Sequence, residues 1–159
     1  MDLFNGLTKI LVMKTYSFII KRDQSYPAGY ANGYVAVDNS HPLFGKKYSD
    51  MIEVEDVDDV PFNGNYIGMF ITACNSDRKE NELSLDMAIN VHGGLTFSKN
   101  ITTLLKQDIE WLSDKTGDDL NLWVFGFDTA HCDDDLESWS KEKCIDETLK
   151  LQSILENWK

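Results

Sequence analysis

Leu120-Asn121-Leu122-Trp123-Val124-Phe125-Gly126-Phe127 places large apolar side chains at odd and even positions alike. A strand with one face in water alternates apolar and polar residues, and this one does not. It is therefore predicted to be a central strand, buried on both faces, with paired neighbours and a covering layer on each side. It ends at Asp128-Thr129-Ala130-His131, so whatever those side chains do is held at the end of a rigid element.

The remaining elements are read around that strand. Leu7, Ile10 and Leu11 have helical spacing, whereas Tyr16, Phe18 and Ile20 alternate as a strand does. Residues 26–33 look like a turn, with Asn32-Gly33 feeding a strand over Tyr34–Val37. Asn63-Gly64 is expected to turn the chain into a further strand, Tyr66–Thr72, and residues 75–82 form a polar loop. Leu83, Leu85, Met87, Ile89 and Val91 then alternate up to His92.

Two helices are predicted. Asn100 or Ser98 caps the first, over 101–114, with Ile101, Leu104, Leu105, Ile109 and Leu112 as its apolar stripe and Gly117 as its stop. The second covers 135–158, with Leu136, Trp139, Ile145, Leu149, Leu151, Ile154, Leu155 and Trp158 recurring at helical spacing. Asp133, Asp134 and Asp135 precede it, where the helix dipole favours negative charge. The expected fold is α+β, one globular domain over residues 1–159: a mostly antiparallel sheet with two main helices packed on it.

At 159 residues, 42% hydrophobic and 26% charged, the chain has the size and composition of one folded domain. The apolar run around Ile10–Met13 is broken by Lys9 and Lys14 and is too short to span a bilayer, so neither a targeting signal nor a membrane role is expected. Cys74, Cys132 and Cys144 are an odd, widely spaced set that suits a reducing cytosol rather than a disulfide framework. Cys74 and Cys144 are read as small buried hydrophobes, and Cys132 as a competing metal ligand.

The net charge of −12 is uneven. Residues 1–49 carry six Lys/Arg against three Asp/Glu, a net of +3, and residues 50–159 carry nine against twenty-four, a net of −15. Such a surface repels a phosphate backbone, so direct nucleic-acid binding is not expected, and a basic protein is the more natural partner. Glu53, Glu55, Asp56, Asp58, Asp59, Glu80 and Glu82 are the expected contributors. The plain alternative is that this charge serves solubility.

All three histidines lie in short strings after predicted strands: His41-Pro42, His92-Gly93-Gly94 and Asp128-Thr129-Ala130-His131. His41, His92, Asp128 and His131 form a candidate tetrahedral set for zinc, which would tie three loops together. The alternatives are a hydrogen-bonded cluster without metal, or three unrelated loop histidines. No His-Glu-x-x-His, deaminase, phosphate-loop or Gly-x-Ser-x-Gly signature occurs, so a structural zinc clamp is expected in preference to a catalytic centre.

Gly33–Val37 through His41-Pro42-Leu43-Phe44-Gly45, His92-Gly93-Gly94-Leu95-Thr96-Phe97-Ser98 and Gly126-Phe127-Asp128-Thr129-Ala130-His131 together resemble a family of small proteins encoded by phages and prophages of Gram-positive bacteria. The likeness spans residues 33–133. The chain departs from it at Cys132-Asp133, where a small residue and then Gly-Asp are expected. The resemblance implies a counter-defence role in the host cytosol, as an anti-CRISPR protein of streptococcal prophage type. Its acidic surface would dock on the positively charged groove of Cas9, or on another basic nucleic-acid-binding protein.

Two other functions use the histidine pocket. One is sequestration of a nucleotide-derived signal, with Tyr34, Phe97 or Phe127 stacking on a base and Lys46 and Lys47 meeting phosphates. The other is a metal-dependent hydrolase acting on a nucleotide or another small molecule.

Overall fold

The computed structural model describes residues 13–115 and 117–159. The helix expected around Leu7, Ile10 and Leu11 lies outside the described residues. A five-stranded antiparallel sheet organises the chain, built from β1 (Thr15–Lys21), β2 (Ala31–Val37), β5 (Phe97–Asn100), β6 (Ile109–Trp111) and β7 (Trp123–Phe127). Their order is β5-β7-β2-β1-β6. A two-stranded sheet pairs β3 (Met51–Glu53) with β4 (Glu82–Ser84), and the helices are α1 (Tyr66–Cys74), the short α2 (Leu85–Ala88) and α3 (Lys141–Glu156). The fold is α+β and dominated by antiparallel sheet.

β7 is internal, paired with β2 (Val35 opposite Phe125) and with β5 (Ser98 opposite Phe125). Its two faces enter two different cores, which is why the run reads as apolar throughout. Val35, Val37, Phe125 and Phe127 face α3, against Leu151 and Leu155 and alongside Leu85, Ile89, Val91 and Leu95. Tyr34, Ala36, Leu122 and Val124 face the other way, against Phe18, Ile101 and Leu104. α3 is capped by Ser140, whose Oγ accepts the Lys143 N–H, and it buries Cys144, Thr148, Leu151 and Leu155 on one stripe.

The structure corrects several local expectations. Asn32-Gly33 is not a turn but part of β2, with Gly33 opposite Phe127. Glycine is needed there because a Cβ would overlap the Thr148 hydroxyl of α3 and the Phe127 ring. Residues 66–72 are not a strand: they form most of α1, because the Asn65 side chain accepts the Gly68 N–H at 2.9 Å and caps a helix there. Asn63-Gly64 accordingly leads into a helix cap instead of a hairpin.

Leu83, Leu85, Met87, Ile89 and Val91 are all buried, as their alternation implies, yet only Glu82–Ser84 is strand and Leu85–Ala88 is a helical turn. Residues 101–114 are not a long helix. Asn100 caps a single 3-10 turn over Ile101–Leu104, and Ile109–Trp111 then pairs with β1 as an edge strand. Ile101, Leu104 and Ile109 still reach one core, whereas Leu105 of the same stripe is exposed, so the stripe marked burial in part and backbone wrongly. α3 begins at Lys141 rather than at 135, because Asp135 instead closes a turn by accepting the Glu137 and Ser138 N–H groups. Cys74 is exposed at the end of α1, whereas Cys144 is buried, which pushes its thiol pKa up.

His41 is a core histidine. Its ring is 4% exposed, with Nε2 donating to the Leu155 carbonyl at 2.8 Å and Nδ1 accepting the Leu43 N–H at 3.0 Å. This pins the loop after β2 to the end of α3. Burial holds its pKa below the ordinary 6.5. A histidine depressed on folding binds its proton more readily in the unfolded chain, so stability is complete above that ordinary value and falls as pH drops below it. The urea midpoint of the wild-type protein is therefore expected to decline between about pH 7 and pH 5 more steeply than that of His41→Gln, which cannot charge. Equal slopes would show that His41 contributes nothing to the acid response.

Candidate metal centre

His92, His131 and Asp134 come together beyond the end of β7, with one donor atom from each within 4.8 Å of the others. The loop after α2 delivers His92 and the loop after β7 delivers His131 and Asp134. His92 Nε2 lies 2.9 Å from both Asp134 oxygens, and His131 Nδ1 lies 3.1 Å from Asp134 Oδ2. Donors sharing a tetrahedral zinc at about 2.0–2.1 Å stand roughly 3.4 Å apart, so an ion would part each of these histidine nitrogens from Asp134 by a few tenths of an ångström. The group can hold a metal ion.

Local chemistry fixes each member. Asp134 sits in a tight turn in which its own N–H reaches the His131 carbonyl at 3.0 Å and its Oδ2 accepts the His131 N–H at 2.8 Å. It is 7% exposed and aimed inward. Asp133 adopts φ 72° to make that turn, a conformation that aspartate tolerates better than most residues. His92 stacks on Trp139 with ring centroids 4.1 Å apart, and its backbone N–H donates to Glu147 of α3 at 2.9 Å. The two imidazoles meet edge to face at 4.7 Å.

Gly93 makes the approach possible. Its φ is +70°, and a Cβ there would run into the His131 imidazole. Gly93→Ala is expected to push His131 away and to weaken metal binding by tenfold or more, roughly the cost of disturbing a ligand's support. Gly45→Ala is the control: Gly45 has φ +80° with nothing near its missing Cβ, so only backbone strain should be felt. Metal titration of both variants distinguishes the two effects, and equal affinities would show that the close approach is irrelevant.

Two of the four expected ligands fall outside this group. His41 has both ring nitrogens engaged within the core and no lone pair to offer. Asp128 flanks the site, 3.7 Å from His131 Nδ1, with its carboxylate already accepting the Ala130 N–H. Asp134 takes the acidic role instead. Its signal in the sequence is His131-x-x-Asp134, which the reading of 133–135 as a helix start obscured. Trp139 gave no signal beyond its place on the last helical stripe, and Glu147 gave none.

His92 and His131 line a cleft of about 880 Å³. α1 forms one wall through Tyr66, Ile67 and Ile71, with Met51 and Leu95 adding further apolar surface. Asn63 organises the floor: its amide donates to the Asp86 and Ile89 carbonyls, and its own carbonyl accepts the Gly93 N–H. The base-stacking and phosphate roles expected of Tyr34, Phe97, Phe127, Lys46 and Lys47 have no counterpart here, because none of the five lines the cleft. Tyr34 and Phe127 are buried in the two cores, and Lys46 and Lys47 are exposed elsewhere.

Of the acidic surface residues, Glu53, Glu55, Asp56, Asp58, Asp59 and Glu80 are exposed and Glu82 is half-buried. Among the described residues no helix is long and apolar enough to cross a membrane. No family model matches the chain, and no curated protein or solved structure matches it.

Proposed function

We propose that this protein is a zinc-dependent hydrolase of small molecules, with His92, His131 and Asp134 as the metal ligands. The observation that carries this reading is a three-donor set beside a cleft. Structural zinc sites close with four protein ligands, whereas catalytic ones keep three and leave a position for water or substrate. The loss of His41 and Asp128 from the expected set turns a closed clamp into an open site. Two imidazoles and a carboxylate are donors that suit zinc.

When bound, the ion supplies Lewis-acid polarisation and activation of water. The chain's own residues do the rest. Before the ion binds, Asp134 gathers the ring nitrogens of His92 and His131 that would face it; Trp139 packs against the His92 ring, Glu147 anchors the His92 loop to α3, and the cleft receives the substrate. The test is turnover of a panel of small esters, amides and phosphoesters by the zinc-loaded protein. Activity removed by a chelator and restored by zinc supports the reading. Activity that survives full metal removal contradicts it.

A second reading is docking on a basic nucleic-acid-binding protein, Cas9 in the anti-CRISPR case. The β3–β4 register favours it, because it sets Glu53 directly opposite Glu82 beside the exposed acids of 55–59. Like charges opposed across strands are unfavourable in isolation; Lys79 lies 4.0 Å from Glu82, and a cationic partner would relieve Glu53 and the acids beside it. Binding to Cas9 that weakens as salt rises, and weakens again in a Glu53→Gln/Glu82→Gln variant, supports it. Salt-insensitive binding, or none, contradicts it.

A further inference from the structure

We infer that the cleft beside the His92–His131–Asp134 centre takes an uncharged carboxylic ester or amide carrying an apolar group, and not a phosphorylated molecule. This rests on the hydrolase reading above and names its substrate class. Three features of the cleft converge on it.

The described residues that line the cleft include no lysine and no arginine. Phosphate sites are built from such cations or from the N–H groups of a dedicated loop or helix end; the helix end in this wall, the start of α1, has its Tyr66 and Gly68 N–H groups taken by the Gly64 carbonyl and the Asn65 side chain. The charged side chain in the wall, apart from the candidate ligands, is Asp86, a carboxylate held by Ser84 Oγ and by Asn65 Nδ2 at 3.2 Å. A phosphate entering this cleft meets negative charge in the wall and a chain of net charge −12.

The α1 part of the wall is apolar and, among the described residues, unpartnered. Ile67 is 75% exposed and Ile71 61% exposed, although both belong to a helix with no charged residue. Exposed apolar surface contiguous with a cleft is what an apolar substrate group covers. The third feature is composition: the candidate metal ligands and the polar Asn63 and Gly93 backbone line the same cleft as the apolar side chains of α1. A neutral acyl compound fits that mixed lining, with its carbonyl towards the histidines and its apolar group along Ile67 and Ile71.

The reaction is addition of water to the carbonyl carbon. A new C–O bond forms, the bond to the alcohol oxygen or amine nitrogen breaks, and the leaving group departs with the proton that water gives up. No oxidant or reductant is required.

The probes are 4-nitrophenyl acetate, butyrate and octanoate with the matching anilides, set against 4-nitrophenyl phosphate and bis(4-nitrophenyl) phosphate. All are assayed on full-length protein whose zinc content has been measured. The expected result is chelator-sensitive hydrolysis of the acyl probes, with kcat/KM rising with acyl length and at least about tenfold above either phosphoester. Ile67→Glu, on the exposed wall, should raise KM for the octanoate by roughly tenfold while leaving zinc content unchanged. Faster turnover of the phosphoesters, or an Ile67→Glu variant with unaltered KM, overturns the substrate class while the hydrolase reading stands. No turnover of any probe at full zinc occupancy overturns the hydrolase reading and this inference with it.

Discussion

Asp134→Ala is expected to lose zinc affinity by at least about a hundredfold, since disturbing a ligand's outer partner alone costs ten- to a hundredfold. Asp134 is the joint of the site: it meets His92 Nε2, His131 Nδ1 and the His131 backbone N–H. Its removal leaves that N–H without its acceptor and both imidazoles free to rotate. A part-buried donor stripped of its partner adds about 1–3 kcal/mol of destabilisation to the loss of metal. Asp134→Asn keeps one acceptor oxygen and should recover most of the stability but not the zinc affinity. Calorimetric zinc titration and urea denaturation of the two variants measure the two effects separately. Equal zinc affinity in wild type and Asp134→Ala would remove Asp134 from the site.

Phe125→Ala is expected to produce the largest loss of stability, about 3–5 kcal/mol. Phe125 is fully buried in β7, paired on both sides by Val35 and Ser98 and covered by α3 through Leu151 and Leu155. Its removal opens a cavity at the centre of the larger core. For a domain of this size the Tm should fall by roughly 6–20 °C, with a lower urea midpoint and an unchanged slope. Phe70→Ala is the contrast: Phe70 is 69% exposed on α1 and its loss should stay within about 0.5 kcal/mol. Comparable losses at the two positions would mean that α1 is buried in solution.

Where the sequence was legible, burial and periodicity carried the same message. Trp123–Phe127 shows both faces apolar because β7 separates two cores, although Leu120 precedes the strand and is exposed; of the last helical stripe Trp139, Leu151 and Leu155 are buried, whereas Leu136 and Leu149 are exposed. Legibility failed where backbone conformation is chosen by one short polar contact. Tyr66–Thr72 has the β-branched and aromatic content of a strand, yet the Asn65 cap makes it helix and leaves its apolar side chains outside. Ile101, Leu104 and Ile109 satisfy a helical stripe on paper. They reach the same core through a 3-10 turn and an edge strand.

The site was legible in its histidines and illegible in its carboxylate. His131 is placed by the end of β7, and His92 by the loop after α2, where two glycines admit close approach. His41 occurs in a similar string, but its ring is consumed by the Leu155 carbonyl and the Leu43 N–H, a long-range contact with no sequence signature. Asp128 and Asp134 stand symmetrically three residues from His131, and only the turn through Asp133 decides which of them points inward.

The most direct test of the metal centre is elemental analysis of the protein after zinc loading and exhaustive dialysis, on wild type, Asp128→Asn and Asp134→Ala. One zinc per chain in wild type and Asp128→Asn, and none in Asp134→Ala, is the expected result. No stoichiometric zinc in wild type, or zinc retained in Asp134→Ala, would contradict a centre built from His92, His131 and Asp134.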